Sequence, residues 1–240
     1  MRQISGKACL AAMMIAIGCI WSGAASAMAA YVVGDQLILS GQVVDGDAER
    51  VADALASSSS VITTVILRNS PGGDSATGAK IAEMMRQRGL GTAVSGFCYS
   101  VCGRIFLGGR TRRFTDDYAP EFTNVGFHGY YQGTTLDPTS VQRLGLRAWY
   151  IRYSDGKADP ALIDRWLSLP VSSGVIHFYN PAKVQRDGVS TFLCQGTERD
   201  VESCEHVRET ALDVGVVTSL DLVHSADLAR MAQLRVAHFR

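Results

Sequence analysis

Val61-Ile62-Thr63-Thr64-Val65-Ile66-Leu67-Arg68-Asn69-Ser70-Pro71-Gly72-Gly73-Asp74 passes from a β-branched apolar run into a proline and paired glycines. Val61 to Leu67 is short, apolar on both faces and bounded by turn residues, which predicts a strand buried in a parallel sheet. After the loop, Ala79, Ile81, Ala82, Met84 and Met85 fall at helical spacing, and the helix stops near Gly89. Upstream, Gln36 to Val44 alternates as a strand does and ends at the turn Asp45-Gly46-Asp47. Asp47 is placed to cap a helix through Val51, Ala52 and Leu55, which ends in the serines Ser57–Ser60. Downstream, Thr92 to Val94 forms a further strand that leads through Gly96 into a cysteine-flanked segment. Val101, Ile105, Phe106 and Leu107 then mark a short buried helix, ended by Gly108-Gly109. Strand and helix alternate three times. That order predicts an α/β domain with a largely parallel sheet.

Beyond His128 the pattern loosens. Ser140 to Tyr153 has helical character, with Leu144, Leu146, Trp149 and Tyr150 as packing residues. Pro160 to Leu167 opens as a helix, with Asp159 as cap and proline at the first position. Pro181 to Arg186 is expected as a short helix before Gly188, and Ala226 to Arg240 as an amphipathic basic helix. A chain of 240 residues that is 47% hydrophobic has enough apolar surface for one core. Residues 30–240 are therefore expected to form a single domain, less regular after about residue 190. The formal net charge is zero, so charge supplies no reason to expect nucleic acid or an anionic membrane as partner.

Residues 1–29 read as a secretory signal: Arg2 and Lys7, an apolar run from Cys9 to Trp21, then Ala25-Ser26-Ala27. Cleavage is expected after Ala27 or Ala29, which makes the mature protein periplasmic or secreted. An uncleaved membrane anchor is the competing reading, and a lipid anchor on Cys19 is disfavoured by Ala16 three positions before it. Four cysteines then remain: Cys98, Cys102, Cys194 and Cys204. An even number in an exported protein favours disulfides; four cysteines permit three connectivities, of which proximity favours Cys98 with Cys102 and Cys194 with Cys204. A zinc site is the rival, but the second pair is too widely spaced for a knuckle. Neither a metal nor another cofactor is expected.

Three features carry chemistry. Asn69-Ser70-Pro71-Gly72-Gly73 follows a buried strand, where paired glycines bring backbone N–H groups close to a ligand or merely make a tight turn. Cys98-Tyr99-Ser100-Val101-Cys102 sits between a strand and a helix. A serine there either presents its hydroxyl beside a helix N-terminus or simply caps that helix. Gly126-Phe127-His128-Gly129 holds a histidine at a glycine-bounded apolar strand, either a structural residue or the base for Ser100.

Taken together, residues 37–128 resemble the proteolytic subunit of the Clp protease and its crotonase-like relatives, a fold of repeated ββα units. Leu67 to Asp74 resembles that family's oxyanion loop, Ser100 falls at its nucleophile, and Phe127-His128 is similar to its histidine motif. The cysteine-flanked serine in an exported chain is more similar still to predicted periplasmic Clp-like proteins. The resemblance implies peptide hydrolysis by Ser100 and His128, with the N–H groups of Gly73 and Val101 holding the oxyanion. It also implies an aspartate just before a short helix and a glycine. Here the matching segment, Ser172-Ser173-Gly174-Val175-Ile176-His177, contains no acid. His177 or Ser173 could orient His128, or the pair could act as a dyad. A serine peptidase and a non-catalytic binding module thus both stay open; an acyl-CoA enzyme fits neither the serine motif nor export. The expected partner is a peptide or protein substrate, with a homo-oligomer possible. No ATPase partner is expected, because an exported protein has no ATP supply.

Overall fold

A computed structural model of the protein describes residues 27–225. Residues 1–26, most of the stretch 1–29 read as a secretory signal, and Ala226–Arg240, read as a basic amphipathic helix, lie outside the described residues. Among the described residues, eleven strands and six α-helices follow in chain order. They begin β1 (Ala29–Val33), β2 (Gln36–Ser40), α1 (Asp47–Ser57), β3 (Thr64–Ser70), α2 (Ser75–Gln87), β4 (Gly91–Tyr99) and α3 (Val101–Leu107). Next come β5 (Arg112–Phe114), β6 (Asn124–Phe127), β7 (Tyr131–Gln132), β8 (Thr135–Leu136), α4 (Pro138–Arg143), α5 (Leu146–Tyr153) and α6 (Pro160–Leu167). The series closes with β9 (Val175–Tyr179), β10 (Thr191–Cys194) and β11 (Glu205–Val207).

The main sheet runs β1-β2-β3-β4-β6-β9-β10-β11, with β5 also paired to β4. Its centre is parallel, from β2 through β3 and β4 to β6. The flanks are antiparallel: β1 on β2 at one side, and β9, β10 and β11 beyond β6 at the other. The α/β architecture with its parallel centre is thus the one the sequence predicted, while the antiparallel flanks were not foreseen. Both faces of the centre are covered. Leu37, Leu39, Val65, Leu67 and Val94 pack with Val51, Ile81, Met85 and Ile105 of the helices, whereas Ile38, Ile66 and Ala93 meet Val223 on the opposite face. That two-sided burial is why these strands are continuously apolar rather than alternating.

Several local expectations need correction. Asp47 is the first residue of α1, not its cap; Gly46, at φ 83°, holds the cap position, and the Asp47 carboxylate accepts the Val44 N–H at 2.6 Å. Ser140 to Tyr153 is two helices, because Gly145 enters the left-handed region at φ 60° and ends the first. Pro181 to Arg186 makes a single turn instead of a helix: the Lys183 and Val184 N–H groups both donate to the Asn180 carbonyl, and the chain then extends. Strand β1 went unread although Gly34-Asp35 between apolar runs is a hairpin signal, and Gly34 has the positive φ such a turn requires. Asp159 does cap α6, accepting from the Ala161 N–H at 2.8 Å.

Candidate active site

Ser100 joins β4 to α3 with φ 57° and ψ −121°, a conformation that a side chain with a Cβ rarely adopts. Such strain persists only where surrounding structure over-determines it, and here three constraints do so. The Ser100 N–H donates to the Gly126 carbonyl of β6 at 2.9 Å. Cys98 is bonded to Cys102, closing the turn around the serine. From the front, Gly72 presses on it: a Cβ there would stand 2.8 Å from Ser100 Cβ and 2.7 Å from the Tyr99 carbonyl oxygen. The serine hydroxyl makes no capping hydrogen bond to α3, so helix capping does not explain this residue.

The glycine loop is held by Val43. Val43 donates to the Gly72 carbonyl at 2.8 Å and accepts from the Asp74 N–H at 2.9 Å. In such a parallel bridge the residue between, Gly73, turns its own N–H away from Val43. A side chain on Gly73 would overlap the Val43 carbonyl. The Val101 N–H is in the first turn of α3, where helical geometry supplies no internal acceptor.

His128 follows β6 directly. Phe127, the last residue of that strand, is locked among Tyr150, Trp166 and Phe178, with ring centroids 5.4, 5.6 and 5.9 Å away. Since β6 is hydrogen-bonded beside β4, strand order brings the histidine to the serine's end of the sheet. Ser100, Val101, Gly73 and His128 all line one cavity of about 310 Å³, which also includes Ser172, Arg104 and Tyr150. Ser100 and His128 are not hydrogen-bonded to each other in this structure.

The orientation of His128 departs from what the sequence left open. His177 lies on β9 opposite Gly126, its Nδ1 is 3.1 Å from Asn124 Oδ1, and burial pushes its pKa down to about 4. Ser173 donates to the Gly196 carbonyl at 3.2 Å. Neither orients His128. That contact comes from the backbone: His128 Nδ1 is 2.7 Å from the Gly129 carbonyl. A carbonyl only accepts, so Nδ1 carries the proton and Nε2 holds the lone pair of the neutral ring. Burial lowers the His128 pKa from the ordinary histidine value, partly opposed by this hydrogen bond. The tautomer is the one a general base needs, achieved without a carboxylate.

The second pair, Cys194–Cys204, ties the end of β10 to the residue before β11, away from the cavity. Both pairings are those that proximity predicted. Among the described residues no group of acidic, histidine and cysteine side chains is arranged to hold a metal. Arg104 and Ser75 belong to the cavity but were not singled out by sequence, and Tyr150 was read there only as a packing residue. Arg104 reads as one polar residue in an apolar helix, a signal that only becomes useful once the helix is placed.

No protein-family model matches the chain, and no curated protein matches it in sequence. Among solved structures, it is similar to ClpP1 from Listeria monocytogenes and to a point mutant of that same protein. Each shows a TM-score of 0.48 and 15% identity, covering 80% of this chain and 93% of the other.

Proposed function

We propose that this protein is an exported serine peptidase in which Ser100 is the nucleophile and His128 the general base. The observation that carries the reading is the strained Ser100 turn, whose uncapped hydroxyl shares a cavity with a histidine in the base tautomer. A serine held at a sharp strand-to-helix turn exposes its Oγ at the sheet edge, the arrangement of a nucleophile elbow. His128 Nε2 accepts the hydroxyl proton as Oγ attacks a peptide carbonyl. Charge that develops on the carbonyl oxygen is met by the N–H groups of Gly73 and Val101, each worth about 3–4 kcal/mol in a formed oxyanion hole. The imidazolium then protonates the leaving amine. Water, deprotonated by the same nitrogen, cleaves the acyl-enzyme and restores the serine. No cofactor, nucleic acid or ATPase enters the scheme. Export rests on the basic, apolar and small-residue order of residues 1–29, together with two disulfides that suit an oxidising compartment.

One observation favours a second reading, a non-catalytic binding module of the cell envelope. The Gly129 carbonyl fixes the His128 tautomer but brings no negative charge to stabilise an imidazolium, and loss of the acid in the worked triad lowers turnover about 10⁴-fold. Fluorophosphonate labelling of the mature, disulfide-intact protein separates the two. Labelling that disappears in Ser100→Ala and in His128→Ala is the result expected of the peptidase. Absence of labelling in folded protein selects the binding module.

A further inference from the structure

The Ser100 cavity contains a charged side chain that the scheme above leaves idle. Three arginines are buried among the described residues. Arg68 is paired with Asp117, and Arg112 with Asp155 at 2.6 Å, supplemented by three backbone carbonyls. Arg104 is 7% exposed and has no carboxylate within ion-pair distance among the described residues. Its Nη1 donates to Ser75 Oγ at 2.8 Å, its guanidinium lies 5.0 Å from the centre of the Trp149 ring, and its Nε is buried without an acceptor. Asp74, on the same cavity, is engaged as the cap of α2 by the Thr77 N–H at 2.8 Å.

A buried cation without a counter-ion is costly unless something else compensates it. The serine hydroxyl and the indole face hold this guanidinium in place without neutralising it. Arg104 also sits one helical turn from the nucleophile, its backbone N–H donating to the Ser100 carbonyl at 3.3 Å. One turn of helix is about 5.4 Å and one residue of extended peptide about 3.3 Å. A charge on this turn is therefore within a residue or two of a bond held at Ser100. A guanidinium held in the lining of such a cavity is suited to carboxylate recognition, which an apolar wall is not.

We propose that Arg104 is the specificity determinant of this site and selects peptides that carry a carboxylate next to the bond held at Ser100. The carboxylate is either an acidic side chain or the free C-terminus of the peptide. This inference rests on the cavity being the substrate site, as in the proposed function.

Three fluorescent peptides of one sequence test it: a glutamate beside the target bond with an amidated end, glutamine there with a free C-terminus two residues on, and glutamine with an amidated end. Their binding to the Ser100→Ala protein, measured by fluorescence anisotropy, needs no catalysis. At least one carboxylate peptide is expected to bind about 10- to 100-fold more tightly than the neutral one, the range for a hydrogen bond to a charged group. Which carboxylate peptide prevails identifies the source. The preference should shrink to near unity when Arg104→Met is added. Should that variant not fold by its melting curve, Arg104→Lys, which keeps the charge and loses the fork, is expected to lower the ratio by itself. Equal binding of all three peptides, or a preference that survives both substitutions, overturns the inference. Fluorophosphonate labelling of the wild type is read in parallel. A carboxylate preference without labelling removes the peptidase and keeps the Arg104 site, whereas labelling with equal binding does the reverse.

Discussion

At the residue scale, the proposed catalysis turns on the protonation of His128. A base must be neutral to accept the Ser100 proton, so activity rises as pH increases through the histidine pKa. Burial moves that pKa below the usual 6.5, and the hydrogen bond to Gly129 only partly restores it. The acid limb of kcat/KM, or of the fluorophosphonate labelling rate, is accordingly expected to be centred below pH 6.5, with the plateau reached before neutrality. A limb centred above 6.5 would show that burial does not set this pKa. The sequence could show that the acid was missing from residues 172–177, but not what replaces it. The replacement is a carbonyl, and every residue has one, so no side-chain pattern points to it.

At the scale of elements, the site depends on how β4 is joined to α3. The Cys98–Cys102 bridge spans that junction, and both cysteines are fully buried. A short loop of this kind stabilises the folded state by about 2 kcal/mol in the chain-entropy account. More of its effect is expected on reactivity than on stability, because the bridge constrains the strained backbone of Ser100. The Cys98→Ala/Cys102→Ala variant should remain folded while its labelling rate at Ser100 falls at least several-fold; an unchanged rate in that variant would show that Gly72 and the Gly126 hydrogen bond hold the turn alone. Gly72 makes its own case. Its φ of 94° and its contact with the serine leave no room for a Cβ, and Gly72→Ala should lower both the melting temperature and the labelling rate. Retention of wild-type values for both would refute the packing argument.

At the scale of the whole molecule, residues 208–225 pack back onto the sheet with no further strand or helix among the described residues. Arg112 on β5 anchors them by donating to the carbonyls of Val216 and Gly215 at 3.2 and 2.9 Å, and its own backbone N–H donates to Thr218 Oγ1. Val223 then covers the face of the parallel centre that the helices leave open. Replacing Arg112 with methionine strands these buried carbonyls, at about 1–3 kcal/mol for each group left unsatisfied. The expected outcome is a clear loss of thermal stability, with new limited-proteolysis cleavage within residues 208–225. Cleavage that begins elsewhere at an unchanged melting temperature would show that the segment is held by apolar packing instead.

Taken by itself, the sequence determined the alternation of strands and helices and the places of the serine, histidine and glycine motifs, and its spacing favoured the Cys98–Cys102 and Cys194–Cys204 pairs among three possible connectivities, a choice the structure makes. Those features are written in periodicity, turn residues and short spacings, which act over a few neighbours and need no knowledge of the rest of the chain. Helix ends were less legible where a single glycine, Gly145, outweighed a continuous helical pattern. Only the tertiary structure decided that β6 lies beside β4, that His177 turns to Asn124 rather than to His128, and that Arg104 lines the Ser100 cavity. Strand order is chosen by which apolar faces bury one another across the whole chain, and it is that choice which brings Gly73, Ser100, His128 and Ser172 to one place.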